Sequence, residues 1–207
     1  MSEPSELARA LAPLRAEYVR RLDEMANRIK PEHFSREPIA RTDGGRLVEG
    51  EDGFPIRYDV ADTNEGYTYE VCSAHDDKPA LERLRVGATE VELLPGKWEA
   101  LVVTCTFDGD PVEEDAQALA SLYRAFHELA WHGGFTPRNS TEPWSGRVHQ
   151  LKVVMTGSAI AAVFDLGTLP ASGLDALLRA IDGFGAARAP VAKVVIGGVP
   201  PDPNAAV

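Results

Sequence analysis

Hydrophobic residues near the start of the chain recur at every third or fourth position. The recurring residues are Leu7, Leu11, Leu14, Tyr18, Leu22, Met25 and Ile29. This spacing places them on one face of a helix, so it predicts an amphipathic helix over about residues 5–29. Pro13 predicts either a kink or a short first helix followed by the main one. The apolar stripe requires a covering surface, which is either a sheet of this chain or a partner.

Residues 31–95 carry short alternating runs interrupted by glycine and proline. The runs span 46–51, 56–61, 67–72 and 89–94. Alternation with a period of two predicts short antiparallel strands joined by turns, and residues 78–84 are predicted to form a short helix. The strands of this region either form a sheet of their own or extend the sheet of the C-terminal half.

From residue 97 to residue 199 the pattern predicts strand, helix, strand, strand, helix and strand. The predicted strands span 98–107, 148–156, 159–166 and 191–196. Asp110 and Pro111 mark the start of the first of these helices, and Ser172 caps the second. This order is that of a ferredoxin-like βαββαβ unit, a four-stranded antiparallel sheet with two helices on one face. The predicted fold class is therefore α+β.

The predicted organisation has three parts. Residues 1–95 form a helix and a β-rich extension packed on the C-terminal unit, residues 96–199 form the ferredoxin-like domain, and residues 200–207 form a disordered tail. The open face of the sheet is expected to carry small side chains: Ala100, Val102, Thr104, Ala159, Ala161 and Val163. RNA-binding sheets of this topology display aromatic and basic residues instead. The small face favours packing against the N-terminal helix, a second copy of the chain or a small apolar ligand.

The charge balance narrows the set of partners. The chain has 32 acidic and 21 basic residues and a formal net charge of −11. This charge repels phosphate backbones, so we expect no nucleic-acid ligand. No apolar run reaches the ~18 to 20 residues that span a bilayer, and the first residues are acidic, which predicts a cytoplasmic protein without a membrane partner. Cys72 and Cys105 lack metal-ligand spacing and are predicted to be buried free thiols.

Sequence motifs indicate no reaction. The chain contains no Gly-x-Ser-x-Gly, Walker, dinucleotide-binding or His-Glu-x-x-His pattern. Glu128 and His132 lie four positions apart on a predicted helix, but a catalytic zinc typically needs three protein ligands. We therefore predict no catalytic residue, no metal site and no cofactor, and the balance favours a protein without enzymatic activity.

The long loop before the second strand of the C-terminal unit is the best predicted binding region. Long loops with aromatic residues and arginine are common recognition surfaces. The predicted binding residues in and beside this loop are Phe135, Arg138, Asn139, Trp144 and Arg147. A second predicted contact, for a basic partner, consists of acids near the preceding helix start: Asp108, Asp110 and Glu114. The alternatives are that Trp131 and Trp144 close the edge of the core and that the acids only stabilise the helix.

The leading hypothesis is a non-enzymatic protein-binding module, for example a bacterial immunity or regulatory protein that binds a basic partner such as a nuclease or toxin. The acidic charge supports it because electrostatic complementarity speeds and selects association. The alternative is a small-molecule-binding protein or enzyme with a pocket on the open sheet face, lined in part by Trp98 and His149 and closed in a homodimer. An apolar pocket against the N-terminal segment, containing a polar group of perturbed pKa, favours this alternative. No family is assigned, because a fold alone does not carry a function.

Overall fold

The structure is a computed structural model that describes residues 3–51, 53–109, 111–136, 144, 146–156 and 159–200. It contains helices and two sheets, which confirms the predicted mixed α+β class. The helices are α1 (Glu6–Ala26), α2 (Glu113–Trp131) and α3 (Gly173–Ala187). The strands are β1 (Phe34–Arg36), β2 (Val60–Asp62), β3 (Tyr67–Tyr69), β4 (Arg83–Val86), β5 (Thr89–Leu93), β6 (Leu101–Phe107), β7 (Gln150–Thr156), β8 (Ala159–Asp165) and β9 (Val191–Ile196). No helix among the described residues is long and apolar enough to cross a membrane.

The strands form a small sheet and a large sheet. The small sheet has the order β1-β2-β3, and the large sheet has the order β4-β5-β9-β6-β8-β7. Neighbours in the large sheet are antiparallel except for the parallel pair β5 and β9. The large sheet therefore has six strands instead of the predicted four. Each of the two predicted arrangements for the middle of the chain applies to part of it. Strands β1 to β3 form a separate sheet, whereas β4 and β5 extend the large sheet.

Helices α2 and α3 cover one face of the large sheet. On β6, Val103 and Cys105 turn toward the helices and are fully buried. The Tyr123 hydroxyl of α2 lies 3.1 Å from Cys105 Sγ, and Phe107 meets Phe184 of α3 with ring centroids 6.3 Å apart. Successive side chains of a strand point to opposite faces, which explains why alternate residues of β6 enter this core. Each such large apolar side chain stabilises the fold by about 1.5–3 kcal/mol.

Helix α1 packs on the same side as α2 and α3. Its predicted stripe is buried and shares one core with the helix-facing residues of the sheet. Ser5 caps the helix and also donates a hydrogen bond to Asp175 Oδ1 of α3 at 2.7 Å. Pro13 lies inside one continuous helix of 21 residues. Helix α1 therefore does not cover the opposite face of the sheet, which was one of the expected arrangements.

The opposite face of the large sheet carries small side chains. Cross-strand pairs on this face join Val102 to Val163 and Thr104 to Ala161. These residues do not belong to the core that the three helices share with the sheet. Ala100 lies in the 3₁₀ turn Trp98–Ala100 that precedes β6, so the strand begins later than predicted. We call this surface the open face, because the three helices do not cover it, although Val102 and Ala161 on it are themselves buried.

Two local predictions in the middle of the chain are wrong. Residues 78–84 do not form a helix, and the last of them enter β4, which pairs with β5. Residues 46–51 form isolated bridges instead of a strand, in which Arg41 pairs with Leu47 and Glu49 pairs with Pro55. Pairing with distant segments decides the secondary structure of both regions, and a local sequence pattern does not contain that information.

Two further predictions need correction. Helix α2 begins at Glu113, and Val112 is its N-cap without a side-chain hydrogen bond. Asp110, the predicted cap, lies outside the described residues. Cys105 is buried, but Cys72 is exposed, so the prediction of a buried thiol is wrong for Cys72.

Candidate functional site

A buried histidine lies between three carboxylates from distant parts of the chain. His149 precedes β7 and is 1% exposed. Its Nε2 lies 3.1 Å from Glu37 Oε1, and its Nδ1 lies 3.3 Å from Asp59 Oδ1 and 3.7 Å from Asp165 Oδ2. Buried charges are tolerated when they are paired and hydrogen-bonded. We call these four residues the buried network.

Glu37 has an unusual backbone conformation. Its φ is +42°, and the residue is 1% exposed. A residue other than glycine in this region costs about 1–3 kcal/mol and persists only where its surroundings fix it. Thr168 Oγ1 donates a hydrogen bond to Glu37 Oε1 at 2.5 Å, and Arg57 Nη1 donates to the Glu37 carbonyl at 2.8 Å. Packing around the network therefore holds Glu37 in a strained state, as is often found at functional sites.

Asp59 connects helix α1 to the middle of the chain. Its Oδ1 accepts a hydrogen bond from the Tyr18 hydroxyl of α1. Its Oδ2 accepts a hydrogen bond from the Val71 N–H at 2.5 Å, and its carbonyl accepts one from the Glu37 N–H at 2.9 Å. Tyr18, Asp59 and Val71 are all buried. Removing the carboxylate would leave buried donors unpaired, at a cost of about 1–3 kcal/mol each.

Gly167 positions both His149 and Asp165. Its φ is +47°, and a Cβ at this position would lie 2.5 Å from His149 Nε2 and 2.5 Å from the Arg147 carbonyl oxygen. Only glycine fits both the conformation and the space. The Gly167 N–H donates to Asp165 Oδ1 at 3.0 Å, and the Gly167 carbonyl accepts a hydrogen bond from Trp98 Nε1 at 2.9 Å. The turn after β8 therefore needs glycine at position 167 to leave room for the His149 ring.

The protonation states in the network follow from burial and from these contacts. Burial lowers the pKa of His149, but the three carboxylates outweigh it and raise the pKa well above its usual value. Burial raises the pKa of Asp165 above its usual value, although His149 opposes this shift. Burial and the adjacent Asp59 raise the pKa of Tyr18. The network thus holds an imidazolium among carboxylates, with Tyr18 as a neutral hydrogen-bond donor at neutral pH.

Two arginines beside the network balance its charge. Arg57 is 6% exposed, and its Cζ lies 4.1 Å from the centre of the Trp131 ring. Burial and the neighbouring Arg147 lower the pKa of Arg57 to about 10, so it remains a cation at neutral pH. With His149 protonated, these three cations equal the three carboxylates in number. The balance supports a charged His149, because an uncompensated buried charge is costly.

Asp165 also lines a cleft of about 180 Å³ above β7 and β8. The cleft is lined by Glu51, Glu99, Gln150, Leu151, Lys152, Val163 and Asp165. Asp165 and Val163 lie on the open face, as do Gln150 and Lys152, their cross-strand partners. Three carboxylates and one lysine give this lining a formal charge of −2. We call this site the acidic cleft.

The carboxylates of the acidic cleft differ in the ionic contacts and hydrogen bonds that they make. Glu51 Oε1 lies 3.1 Å from Lys152 Nζ. Glu99 Oε1 accepts a hydrogen bond from the Ser73 N–H at 2.5 Å. Glu99 Oε2 is buried and has no hydrogen-bond partner within the described part of the chain. A buried acceptor without a donor calls for an explanation such as a ligand or a water molecule.

A larger cleft on the open face has a different character. It measures about 310 Å³ above β4, β5 and β9. Four of its five charged side chains pair with one another, since Arg85 lies 3.0 Å from Glu90 and Lys193 contacts Glu92. Such exposed pairs satisfy their own charges, so this cleft offers less to a charged ligand than the acidic cleft does.

Trp144, a predicted binding residue, is buried. Its side chain is 5% exposed and meets Phe34 with ring centroids 6.0 Å apart. Its Nε1 donates a hydrogen bond to Asp23 Oδ1 of α1 at 3.0 Å. Trp131 is also buried, and its Nε1 donates to the Pro55 carbonyl at 2.9 Å. Trp144 therefore belongs to the core, whereas Trp131 packs against Arg57. A binding role for Trp144 stays a prediction.

The other predicted loop residues are only partly described. Phe135 is half-buried, and its ring centroid lies 5.1 Å from that of Phe126. Arg147 is half-buried, and its N–H donates to Thr168 Oγ1 at 3.1 Å, next to the buried network. Arg138 and Asn139 lie outside the described residues. A binding role for this loop stays a prediction.

The predicted acidic contact near the start of α2 is partly neutralised. Asp108 is exposed, but Glu114 lies 2.7 Å from Arg188, and Asp115 lies 3.2 Å from the same guanidinium. Asp110 is not among the described residues. The structure does not bring these acids together with the acidic cleft in one site, and their role in binding also stays a prediction.

The sequence pointed to His149 but not to its partners. Glu37 and Asp59 lie in the region where the hydrophobic pattern is weakest. Asp165 does have a signal, because it ends an otherwise apolar strand and charged residues in such positions are rarely buried unless paired. Tyr18 fits the apolar stripe of α1, so the sequence pattern gave no sign that its hydroxyl forms a hydrogen bond with Asp59.

The comparisons with known proteins do not identify the chain. No protein-family model, no curated protein and no solved structure matches it. In the part of the chain that the structure describes, no group of three or more His, Cys, Asp or Glu residues is arranged to hold a metal ion. The function is therefore argued from the geometry of the two sites.

Proposed function

We propose that the chain is a non-enzymatic protein-binding module that accepts a basic side chain of its partner in the acidic cleft. The observation that carries the proposal is the Glu99 carboxylate, whose Oε2 is buried without a hydrogen-bond partner among the described residues. A guanidinium or ammonium group supplies the donors that this oxygen lacks. Asp165 lines the same cleft and offers a second carboxylate.

The size of the cleft favours a protein partner over a free small molecule. Its volume is about 180 Å³. Small-molecule sites typically enclose ~300–1,000 Å³. One inserted side chain fits a smaller space, and the rest of the partner covers the open face around it.

The charge of the whole chain supports a basic partner. The net charge is −11, and the lining of the cleft is itself negative. Complementary fields speed the encounter and select against acidic competitors. A bacterial immunity or regulatory protein that binds a basic nuclease or toxin matches this description, and such a protein needs no catalytic motif.

Affinity capture from native lysate at low and high ionic strength tests the proposal. The wild-type chain is expected to retain a basic protein, identified by mass spectrometry, more strongly at low salt. Glu99→Gln is expected to lose it, because the amide keeps an oxygen for the Ser73 N–H but removes the charge. Circular dichroism confirms that each variant is folded.

A matched control separates the acidic cleft from the other acidic region. A double variant, Asp108→Asn with Glu114→Gln, removes charge near the start of α2 and is expected to keep the partner. If the double variant loses the partner while Glu99→Gln retains it, the partner binds near α2 and the cleft proposal is wrong. Capture that is indifferent to salt and to both variants rejects an electrostatic interface altogether.

A second candidate function is favoured by one observation. Asp165 lines the cleft and lies 3.7 Å from His149, and burial raises its pKa. Carboxyl groups with raised pKa values in clefts are candidates for acid–base chemistry or ligand binding. Native mass spectrometry of the purified chain tests this function. A small molecule that remains bound to the wild type and is lost in Asp165→Asn supports it.

We also propose that β6 to β9, together with α2 and α3, form a ferredoxin-like unit extended by two strands. The strand order β9-β6-β8-β7 supports this assignment, with α2 between β6 and β7 and α3 between β8 and β9. On this view β4 and β5 lengthen the open face without changing the connections of the unit.

A further inference from the structure

We propose that the positive charge of His149 is a latch that helps to hold residues 37–59 against the end of the large sheet, and that loss of the His149 proton shifts the segment toward release. The latch joins two parts of the chain that are far apart in sequence. Glu37 and Asp59 are the first and last residues of the held segment, and each places a carboxylate oxygen within 3.3 Å of a ring nitrogen of His149.

The contacts of His149 run mainly to that segment. Its two ring nitrogens each face a carboxylate from the segment, at 3.1 and 3.3 Å, and the third carboxylate, Asp165, is farther away at 3.7 Å. A neutral imidazole carries only one N–H, so it satisfies at most one of the two segment carboxylates. Only the Nε2 contact with Glu37 has hydrogen-bond geometry, since Nδ1 has no hydrogen-bond partner among the described residues. Deprotonation therefore removes the positive charge from that hydrogen bond and from the ionic contact with Asp59.

Several side chains hold the segment independently of the His149 proton, so loss of the proton weakens the attachment without removing it. They are Tyr18 and Val71 at Asp59, Thr168 at Glu37, Trp131 at Pro55 and Lys152 at Glu51. Glu37 is bound in a strained backbone conformation, with φ of +42°, and this strain favours release once its carboxylate contact weakens. Arg57 holds the Glu37 carbonyl within the segment, and it also stacks on Trp131 of α2, which is a further attachment of the segment. The described residues in the interior of the segment form isolated bridges and no helix or long strand.

Charged and titratable groups from several elements face the latch among the described residues. These groups are Tyr18 of α1, Glu37, Arg57 and Asp59 of the segment, Glu70 after β3, Arg147 before β7 and Asp165 of β8. The carboxylates stabilise the imidazolium, and the arginines oppose it. The carboxylates lie closest to the ring, so the net effect favours the charged form.

The direction of the pH effect follows. The pKa of His149 is raised in the folded protein, so its contribution to holding the segment is complete below the unfolded value of about 6.5. It is lost as pH rises through the folded pKa. The segment is therefore closed in neutral solution and opens on the alkaline side.

Release also removes Glu51 from the acidic cleft, since Glu51 lies within the segment. This consequence rests on the proposed function, whereas the latch does not. The two are tested separately, because release is observed in the free protein and binding is observed with a partner.

Hydrogen exchange and NMR on the full chain test the latch. The ¹³C and ¹⁵N shifts of the His149 ring report its protonation, and exchange protection of the Val71 amide reports whether the segment is held, since the Val71 N–H donates to Asp59 Oδ2 across the boundary of the segment. Protection is expected to fall as the ring loses its proton, by up to about tenfold per unit of pH. Protection of the β6 amides, corrected for intrinsic exchange rates, is expected to stay higher throughout.

Two variants complete the test. His149→Gln keeps a polar side chain without the charge, and its segment is expected to be unprotected at neutral pH and insensitive to pH. His75→Gln changes an exposed histidine and is expected to behave as wild type. If His149→Gln does not fold, the wild-type titration decides alone. Segment protection that stays constant while His149 loses its proton, or a neutral His149 at pH 7, overturns the proposal.

Discussion

His149 Nε2 lies 3.1 Å from Glu37 Oε1, although the two residues are 112 positions apart in sequence. This contact joins the irregular N-terminal half to the large sheet at the point where Asp165 opens into the acidic cleft. Closing so long a loop costs entropy, and a buried ionic contact is a specific way to offset that cost. Asp165 therefore belongs both to the buried network and to the lining of the cleft.

The buried network is expected to dominate stability over any exposed ion pair. Asp59→Asn should lower the free energy of unfolding by about 3–5 kcal/mol, because it leaves the buried imidazolium without one of its carboxylates. Urea denaturation at neutral pH measures this. Glu90→Gln is the control, since Glu90 and Arg85 form a pair whose side chains are 72% and 64% exposed. The control should change stability by less than about 1 kcal/mol, and equal losses would contradict the role of the network.

Gly167 is expected to be irreplaceable for steric reasons. A Cβ at Gly167 would lie 2.5 Å from His149 Nε2, whereas Gly45 has a φ of +77° with nothing within 4 Å of its Cβ position. Gly45→Ala should therefore cost only the left-handed backbone penalty of about 1–2 kcal/mol. Gly167→Ala should cost about 1–3 kcal/mol more, and it should shift the His149 ring signals in NMR spectra. Equal destabilisation in the two variants would show that His149 does not fill this space.

The elements with regular periodicity were predictable from the sequence. Helix α1 follows from its apolar stripe, and β6, β7, β8 and β9 follow from alternation and the turns between them. Local spacing suffices there because the side chains that pack together recur within one element. These elements also fix the mixed α+β class.

The site was less predictable because long-range contacts create it. Strand β4 and the parallel pair of β5 with β9 depend on segments far apart in the chain. Glu37 and Asp59 resemble ordinary polar loop residues until the fold brings them to His149. Trp144 was predicted to bind a partner because aromatic loop residues often do, and that role stays a prediction. Its contact with Phe34 joins residues far apart in the chain, so the local pattern did not indicate it.

The two cysteines are expected to react differently. Cys72 is exposed, whereas burial raises the pKa of Cys105 to about 12 despite its contact with Tyr123. The thiolate is the reactive form, so a thiol reagent at pH 8 should label only Cys72 in the folded protein and both cysteines in urea. Cys72→Ser should therefore abolish labelling under native conditions. Rapid labelling of the Cys72→Ser variant without urea would mean that the α2 core opens readily.

Trp144 is expected to matter for stability more than for recognition. Trp144→Phe retains an aromatic ring against Phe34 but loses the hydrogen bond to Asp23, which should cost about 1 kcal/mol. Trp144→Ala should cost about 3–5 kcal/mol because it leaves a cavity. Thermal denaturation measures both. Loss of partner capture by a fully folded Trp144→Phe variant would instead support the predicted role in binding.

Tyr18 is expected to link stability to alkaline pH. Burial and Asp59 raise its pKa above the ordinary value of 10, so the folded state keeps the phenolic proton longer than the unfolded state does. Its contribution is complete below about pH 10, and it falls at higher pH because the unfolded chain ionises first.

Tyr18→Phe should therefore cost about 1–3 kcal/mol at neutral pH, because Asp59 loses a buried donor. The difference between wild type and variant should shrink as pH rises above about 10. Urea denaturation at a series of pH values measures the difference directly, and groups common to both proteins cancel. Tyr67→Phe, at a residue that is 61% exposed, is the control and should show no such trend. If the difference between wild type and Tyr18→Phe stays constant with pH, the folded protein does not raise the pKa of Tyr18.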